Sequence, residues 1–473
     1  MILLYFIAAL LSVALLYIQR SKKAVSIIAG LFFAVQLTFA VYTALYKGTT
    51  ELQFFTYDAL GILFFALLSI LAPITLIHSY SYLHEETLRQ YKLYHIGFIL
   101  LSTAITGAYF ANNITISWIL IELTTLSAAL LIYHRRTPRA LEATWKYVFV
   151  CSTGIAIAYL GILFLSVLLH GDHELNMSYE NLASVVASAN PLYLKLAFLF
   201  ILVGYSTKME LFPMYTIGID ANHAAPSPMS AFFSTALVNL GFVSIFRMFR
   251  MMASSEIFAW IQGVMIIAGV LSLLIAAIYM RRTKNAKRFL AYSTVENMGI
   301  VAIALGVGGI GYIAAIFHML MHGLVKSTAF YQFSQIGRIY GSYNMFRMGR
   351  YFSINPAGAT VLTLVLIGLC AVPPSSLFIS ELMTFSSLIS AGRWFYFIVA
   401  VLLLCVVIYS LCSRLLHICY NSSVDIKSVN IGAIKPYLTY IQLALILSSF
   451  FFCFYQPDWL MNLLEEITAV FMG

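Results

Sequence analysis

Charge is what this chain has least of. Of 473 residues, 10% are Asp, Glu, Lys or Arg, against 62% hydrophobic. Soluble domains hold about 25% charged residues, so a large soluble core does not account for this composition. Polar stretches are also short: the longest candidate loops, near 170–190 and 334–356, leave no room for a soluble domain. Cysteine is scarce and scattered. The six (Cys151, Cys370, Cys405, Cys412, Cys419 and Cys453) form no C-x-x-C pair, and no Cys/His group has zinc or iron–sulfur spacing. Cys405, Cys412 and Cys419 recur every seven residues along one helical face, where a free thiol packs as a small hydrophobe. Glycine loops for phosphate are missing too, because the glycines at 306–311 lie between two apolar runs without strand-and-helix context. No redox centre, cofactor, metal or catalytic residue is therefore expected on this chain.

What remains is apolar sequence in long runs. Fourteen segments are long enough to span a bilayer: 2–19, 24–46, 59–78, 94–111, 114–133, 145–169, 192–212, 229–250, 258–280, 289–306, 309–333, 357–389, 394–416 and 434–455. The first lacks a basic n-region and a small-residue cleavage site, so it reads as a retained helix. The tail at 456–473 reads as a short interfacial helix or a docking element. The net charge of +9 could point to nucleic acid, but its distribution points elsewhere. With alternate loops on opposite sides, the excess of Lys and Arg falls on 20–23, 134–146, 281–288, 334–356 and 414–435, with the loops at 79–93 and 213–228 on the same side. The positive-inside rule places that side in the cytoplasm and both termini outside.

Some charges lie inside the apolar runs. Lys208 and Glu210 end an apolar helix in the stretch 204–230, which Pro213 and Gly218 interrupt before a polar loop with Asp220 and His223. A lysine at bilayer depth costs about 2.5 to 3.5 kcal/mol on insertion scales, and a broken helix there must line a cavity or lie inside protein. Glu122 lies near the middle of its segment, Asn239 within the eighth and Glu296 inside the tenth. His318, His322 and Lys326 recur at a spacing of four and share one helix face. Glu381 follows Pro373 and Pro374, again a charge beside a break. Singly, each has a plain explanation: a buried histidine satisfied in a core, or a Glu122–Lys208 pair that clasps two helices. As a series they point to an ion path, because packing alone avoids their cost.

The series repeats. Glu122 to Lys208 and Glu296 to Glu381 are nearly equal intervals, each running from a helix-borne glutamate to a charge in a proline-broken helix. Residues 94–250 and 251–416 then form two five-helix units, flanked by three helices in 1–93 and by a last helix with its tail in 417–473. An odd helix number inverts the second unit, the usual build of ion-coupled transport proteins.

The runs IELTTLSAAL, STKMELFPM, APSPMSA, KRFLAYSTVENMGI, FHMLMHGLVKSTAF and Pro-Pro…SEL resemble the antiporter-like membrane subunits shared by respiratory complex I, multi-subunit cation/proton antiporters and group 4 membrane-bound hydrogenases. The likeness covers nearly the whole chain and is nearest to the branch of hydrogenase 4 (its component F) and the formate hydrogenlyase membrane subunits. It implies an all-α polytopic protein of about fourteen transmembrane helices, with two discontinuous ones, in a prokaryotic inner membrane. It implies H⁺ or Na⁺ translocation within a redox-driven complex whose iron–sulfur, nickel–iron or quinone centres lie on partner subunits. Glu122 would be the fifth-helix glutamate and Lys208 the broken-helix lysine whose pairing sets its proton affinity. His318, His322 and Lys326 would continue the polar axis to Glu381. Relatives often carry Lys or His in the eighth helix near Ser234 or Asn239, and neither position ionises here. The Trp-Leu-Pro-Asp-Ala-His run of the hydrogenase branch is replaced by Ile217 to Asn222, with His223 one place late. Glu210 is also unusual, and it stands as a competitor of Glu122 for the lysine. Two other readings remain: a structural scaffold with a vestigial axis, and a stand-alone cation/proton antiporter.

Overall fold

A computed structural model describes residues 1–169, 176–422 and 429–471. Residues 170–175 of the candidate loop near 170–190, residues 423–428 of the basic loop 414–435, and the last two residues of the tail lie outside the described residues. The chain begins with α1 (Ile2–Ile18) and α2 (Lys22–Leu45), then turns through a small antiparallel hairpin, β1 (Thr50–Glu51) with β2 (Phe55–Thr56). Next come α3 (Ala59–Tyr82), α4 (Leu88–Phe110), α5 (Ile114–Ile132), α6 (Pro138–Leu168), the short α7 (Tyr179–Val186) and α8 (Pro191–Met209). Polar residues set these starts by accepting from free N–H groups: Asp58 for α3, Thr87 with Gln90 in a capping box for α4, Asn113 for α5, and Thr137 before Pro138 for α6.

After α8 the helix breaks and resumes as α9 (Thr216–Ala224) and α10 (Ser227–Phe232). A π turn at Phe233–Leu237 joins α10 to α11 (Val238–Met251), so that Ser227–Met251 forms one span. Then follow α12 (Phe258–Arg282), α13 (Ala286–Val307), α14 (Ile310–Tyr340), the single turn α15 (Tyr351–Ile354), α16 (Pro356–Leu369), α17 (Ser376–Ser390), α18 (Trp394–Tyr420), α19 (Pro436–Phe454) and α20 (Asp458–Thr468).

Among the described residues, 12 helices are long and apolar enough to cross a membrane. The sequence reading differs at two places. The run 2–19 forms α1, only 17 residues long, and 357–389 divides into α16 and α17 around Pro373–Pro374. The α6 helix also starts earlier than the apolar run, at Pro138, because Thr137 caps it.

The bundle has an enclosed centre and an apolar outside. The spans Ser227–Met251 and α14 are buried along nearly all their length, and α13 almost as much. Outer helices instead expose large apolar side chains, such as Leu45, Phe395 and Phe454 at 72–79%. Exposed apolar surface of this extent suits lipid and not water. Aromatic residues mark helix ends, among them Tyr17, Tyr46, Trp394, Tyr455 and Trp459.

Several pairs of helices come unusually close, two of them through facing glycines. A Cβ on Gly204 of α8 would lie 2.4 Å from the Gly154 carbonyl of α6, and one on Gly269 of α12 would lie 2.5 Å from the Gly299 carbonyl of α13. Only glycine permits backbone contact of this kind.

Loop contacts sort the two ends. At one end Lys22 donates to the His84 carbonyl, Arg338 to the Ser81 carbonyl, Lys287 to the His223 and Ala225 carbonyls, and Arg414 to the Arg281 carbonyl. The basic loops thus gather together. At the other end the hairpin, the start of α1 and the tail meet, with Lys47 paired to Glu466. The tail helix α20 seats Leu460, Leu464 and Ile467 on the bundle, and Phe471 packs among Phe246, Phe249, Phe258 and Tyr312.

Candidate ion-translocation site

The site begins where α8 stops. Glu210 follows the last turn with a left-handed backbone (φ 56), and Leu211 N–H returns to the Ser206 carbonyl at 3.3 Å. Lys208 therefore sits in the last helical turn, where the free carbonyls favour a cation. It is 2% exposed. Its Nζ donates to Thr125 Oγ1 at 2.8 Å and to Tyr147 OH at 3.1 Å, and lies 5.1 Å from the Tyr147 ring centre. Thr125 in turn donates to Glu122 Oε2 at 3.3 Å, and Ser152 donates to Glu122 Oε1 at 2.7 Å.

Glu122 and Lys208 thus form no direct ion pair, and the clasp between them runs through the Thr125 hydroxyl. Thr125 accepts from the ammonium with a lone pair and gives its single proton to the carboxylate. This keeps the lysine and the glutamate in electrical contact without locking them together.

Glu210 makes no hydrogen bond to Lys208 among the described residues. The left-handed turn carries its side chain toward α9, where Oε1 accepts from Asn222 Nδ2 at 3.0 Å. The cation in its field is Lys326, whereas Lys208 lies in the field of Glu122. Lys326 donates to the Leu290 carbonyl of α13 at 2.9 Å and interacts electrostatically with Glu296 and Glu210.

Asn297, next to Glu296 on α13, links that glutamate to the histidines. Its Nδ2 donates to Glu296 Oε2 at 2.5 Å and to the Ser293 carbonyl at 2.6 Å, so its Oδ1 faces His318 Nε2 at 3.0 Å. An amide oxygen can only accept, which places a hydrogen on His318 Nε2. His318 Nδ1 meets Ser380 Oγ at 2.9 Å, and Ser380 Oγ is also 2.9 Å from the Leu377 carbonyl. Ser380 has one proton for these two acceptors. With neutral His318 it turns to the ring, and with a protonated ring it turns to the carbonyl.

One turn further, His322 is fully buried and neither ring nitrogen has a partner among the described residues. Asn239 lies against Gly323, the next residue of α14, and its Oδ1 is likewise buried and without a partner among the described residues. Buried polar atoms of this kind take hydrogen bonds from water. Glu381 is half-buried on α17, one residue beyond Ser380, and makes no ion pair among the described residues.

The series therefore falls into two clusters. Glu122, Thr125, Tyr147, Ser152 and Lys208 form the first, and Glu210, Asn222, Glu296, Lys326, Asn297, His318 and Ser380 form the second. Asp220 joins neither: it pairs with Arg288 near the surface and ties α9 to α13. His223 serves through its carbonyl, which accepts from Lys287 at 3.2 Å at the end of α9. Pro213 lies in the break after α8, and Pro373 and Pro374 lie in the break between α16 and α17. Among the described residues no three His, Cys, Asp or Glu side chains gather as a metal site.

Sequence reasoning missed Thr125, Tyr147, Ser152, Asn222, Asn297 and Ser380. Thr125, three residues after Glu122, carries a legible signal because that spacing shares a helix face. Tyr147, Ser152, Asn222 and Ser380 come from other elements and carry none. Two buried basic residues also escaped: Lys287, and Arg247, which pairs with Asp58 at 2.8 Å and donates to the Ala108, Tyr109 and Ala111 carbonyls.

Known proteins place this arrangement in a family. The NADH:quinone oxidoreductase/Mrp antiporter transmembrane family matches residues 111–430, which hold both clusters. A hydrogenase-4 component F homolog of Methylacidiphilum infernorum is 32% identical over 72% of this chain and 74% of its own length. A Na⁺/H⁺ antiporter subunit A1 of Staphylococcus aureus is 26% identical over 68% of this chain, which spans 41% of that longer protein. In fold, the chain superposes on a subunit of the archaeal membrane-bound sulfane sulfur reductase with a TM-score of 0.87, at 21% identity and over 100% and 97% of the two chains. The chain belongs to the NADH:quinone oxidoreductase/Mrp antiporter transmembrane family and is a multi-pass, antiporter-like membrane protein.

Proposed function

We propose that the chain moves protons across a prokaryotic inner membrane as the antiporter-like subunit of a redox-driven complex of the hydrogenase 4 kind. The carrying observation is the row of buried ionisable groups, linked through hydroxyls and amides, in a protein otherwise poor in charge. The path runs from Glu122 and Lys208 to Lys326, His322 and His318, and leaves toward Glu381. Asn239 contributes by holding water. Two of the groups are lysines, which pass a proton on but repel Na⁺, so the proton is the ion moved.

In this reading the α1 helix and the α16–α17 pair complete fourteen crossings. Residues 94–250 and 251–416 act as inverted units, each with one broken helix. Both termini face the periplasm, because the gathered basic loops belong in the cytoplasm. Electrons pass through iron–sulfur, nickel–iron or quinone centres on partner subunits, and this chain carries none of them. Separating Lys208 from Glu122 lowers the lysine's hold on its proton, and Thr125 provides a joint at which they separate.

Glu122→Ala and Lys208→Ala test the proposal in the assembled complex in inverted vesicles, with electron transfer and gradient formation measured together. Both variants are expected to assemble, transfer electrons and form no gradient. Normal gradients in both would remove the path and leave a scaffold. Similarity to a Na⁺/H⁺ antiporter subunit favours one further reading, stand-alone antiport, which cation-driven proton movement by the purified chain in liposomes would establish.

A further inference from the structure

Resting on that path, we infer that Glu210 is the group that holds the proton between Lys208 and Lys326, in a seat made by Gly218 and Asn222. Glu210 is 3% exposed and takes a left-handed backbone that glycine would adopt without strain. A buried carboxyl at a strained position is twice unfavourable, so a purely structural turn has no use for it. The fold also clears space for it. A Cβ on Gly218 would lie 2.2 Å from Glu210 Oε1 and 2.3 Å from its Cδ, so any other residue there would displace the carboxyl.

The seat is one hydrogen short. Asn222 Nδ2 donates to Oε1, while Glu210 Oε2 and Asn222 Oδ1 are both buried acceptors without partners. A proton on Oε2 supplies the missing donor and lets the acid and the amide join at both edges.

Electrostatic interactions reach from this carboxyl to Lys326 and to the tyrosine that holds Lys208. That tyrosine, Tyr147 of α6, lies in the field of both Glu122 and Glu210. Lys326 of α14 is shared by Glu210 with Glu296 of α13. Asn239, on the remaining central helix, has no proton to exchange.

A proton passes from the Lys208 ammonium through water to Glu210 Oε2, leaving a neutral amine and a neutral carboxylic acid. The acid then gives that proton to a neutral Lys326, which becomes ammonium as the carboxylate returns. No electron moves, and one proton is passed on at each transfer.

The test compares Glu210→Gln with Lys208→Ala in the full complex, measuring assembly, electron transfer and gradient formation. Glu210→Gln is expected to assemble and to lose gradient formation by about tenfold or more, as Lys208→Ala does. Gradients within about twofold of wild type in Glu210→Gln, beside an inactive Lys208→Ala, would overturn this inference and leave the path standing. If both variants form gradients, the path falls and this inference with it. Should Glu210→Gln fail to assemble, Gly218→Ala keeps the carboxyl but moves it. Its infrared band for carboxyl protonation during turnover must then shift from wild type, and an unshifted band would overturn the inference.

Discussion

Thr125 carries the first consequence at the scale of single residues. Its hydroxyl is the one hydrogen-bonded bridge, among the described residues, from the Lys208 ammonium to the Glu122 carboxylate. Thr125→Val keeps the shape and removes that link, leaving a buried charged donor one partner short, a loss of about 1.5–3 kcal/mol. Gradient formation should fall by about tenfold or more while assembly stays normal, measured by proton uptake into vesicles against the amount of complex. Ser380 gives a second prediction. Ser380→Ala takes away the hydroxyl proton that His318 Nδ1 accepts, and should slow translocation by about tenfold. Ser380→Thr keeps a hydroxyl and should restore most of the rate in the same assay.

These residues also show what a sequence can disclose. Lys208, His318, His322 and Lys326 stood out because charge in an apolar run is costly wherever the chain then goes. Which partner each would meet was not legible. Glu210 lies two residues from Lys208 yet its carboxyl meets Asn222, because one left-handed residue turns its side chain toward α9. Asp220 pairs with Arg288 and the His223 carbonyl accepts from Lys287, contacts between helix ends that no spacing announces.

At the scale of elements, the α6–α8 crossing sets the geometry of the first cluster. Gly154 and Gly204 bring the two backbones together, and the same two helices carry Tyr147 and Lys208 into hydrogen-bond distance. A side chain at 204 meets a carbonyl that belongs to backbone, so the helices must part. Gly204→Val is expected to lower the amount of folded chain in the membrane and the thermal midpoint of what remains, read by immunoblot and by thermal unfolding in detergent. Gly30, which has nothing within 4 Å of an added Cβ, is the matched control, and Gly30→Val should leave both unchanged. Elements were the most legible level of the sequence. Long apolar runs became helices, and both proline breaks appeared where the sequence put them. The discrepancies are physical: hydropathy counts apolar residues but does not see that α1 ends at Ile18, nor that Cys370–Ser375 leaves the helical path.

For the whole molecule, the decisive contact is far from the clusters. Arg247 of α11 reaches Asp58 at the start of α3 and the last carbonyls of α4, joining three helices at the end that carries the hairpin. Arg247→Met fits the same volume but leaves that carboxylate and those carbonyls without a cation. Breaking a buried pair from one side costs about 3–5 kcal/mol, and the partly open Asp58 puts this case at the low end. The purified protein should unfold at a clearly lower temperature, followed by tryptophan fluorescence, while surviving complexes still translocate.

The π turn at Phe233–Leu237 carries a consequence of a different kind. A π turn holds one more residue than the α-helical turn it replaces, so it acts as a spacer in the angular sense. Winding the same residues as an ordinary α-helix would rotate everything after it by about 100°. Asn239 would then swing away from Gly323, and Arg247 from Asp58, together. The inner span is thus geared: the proton route and the clamp at the far end are set by the same tooth.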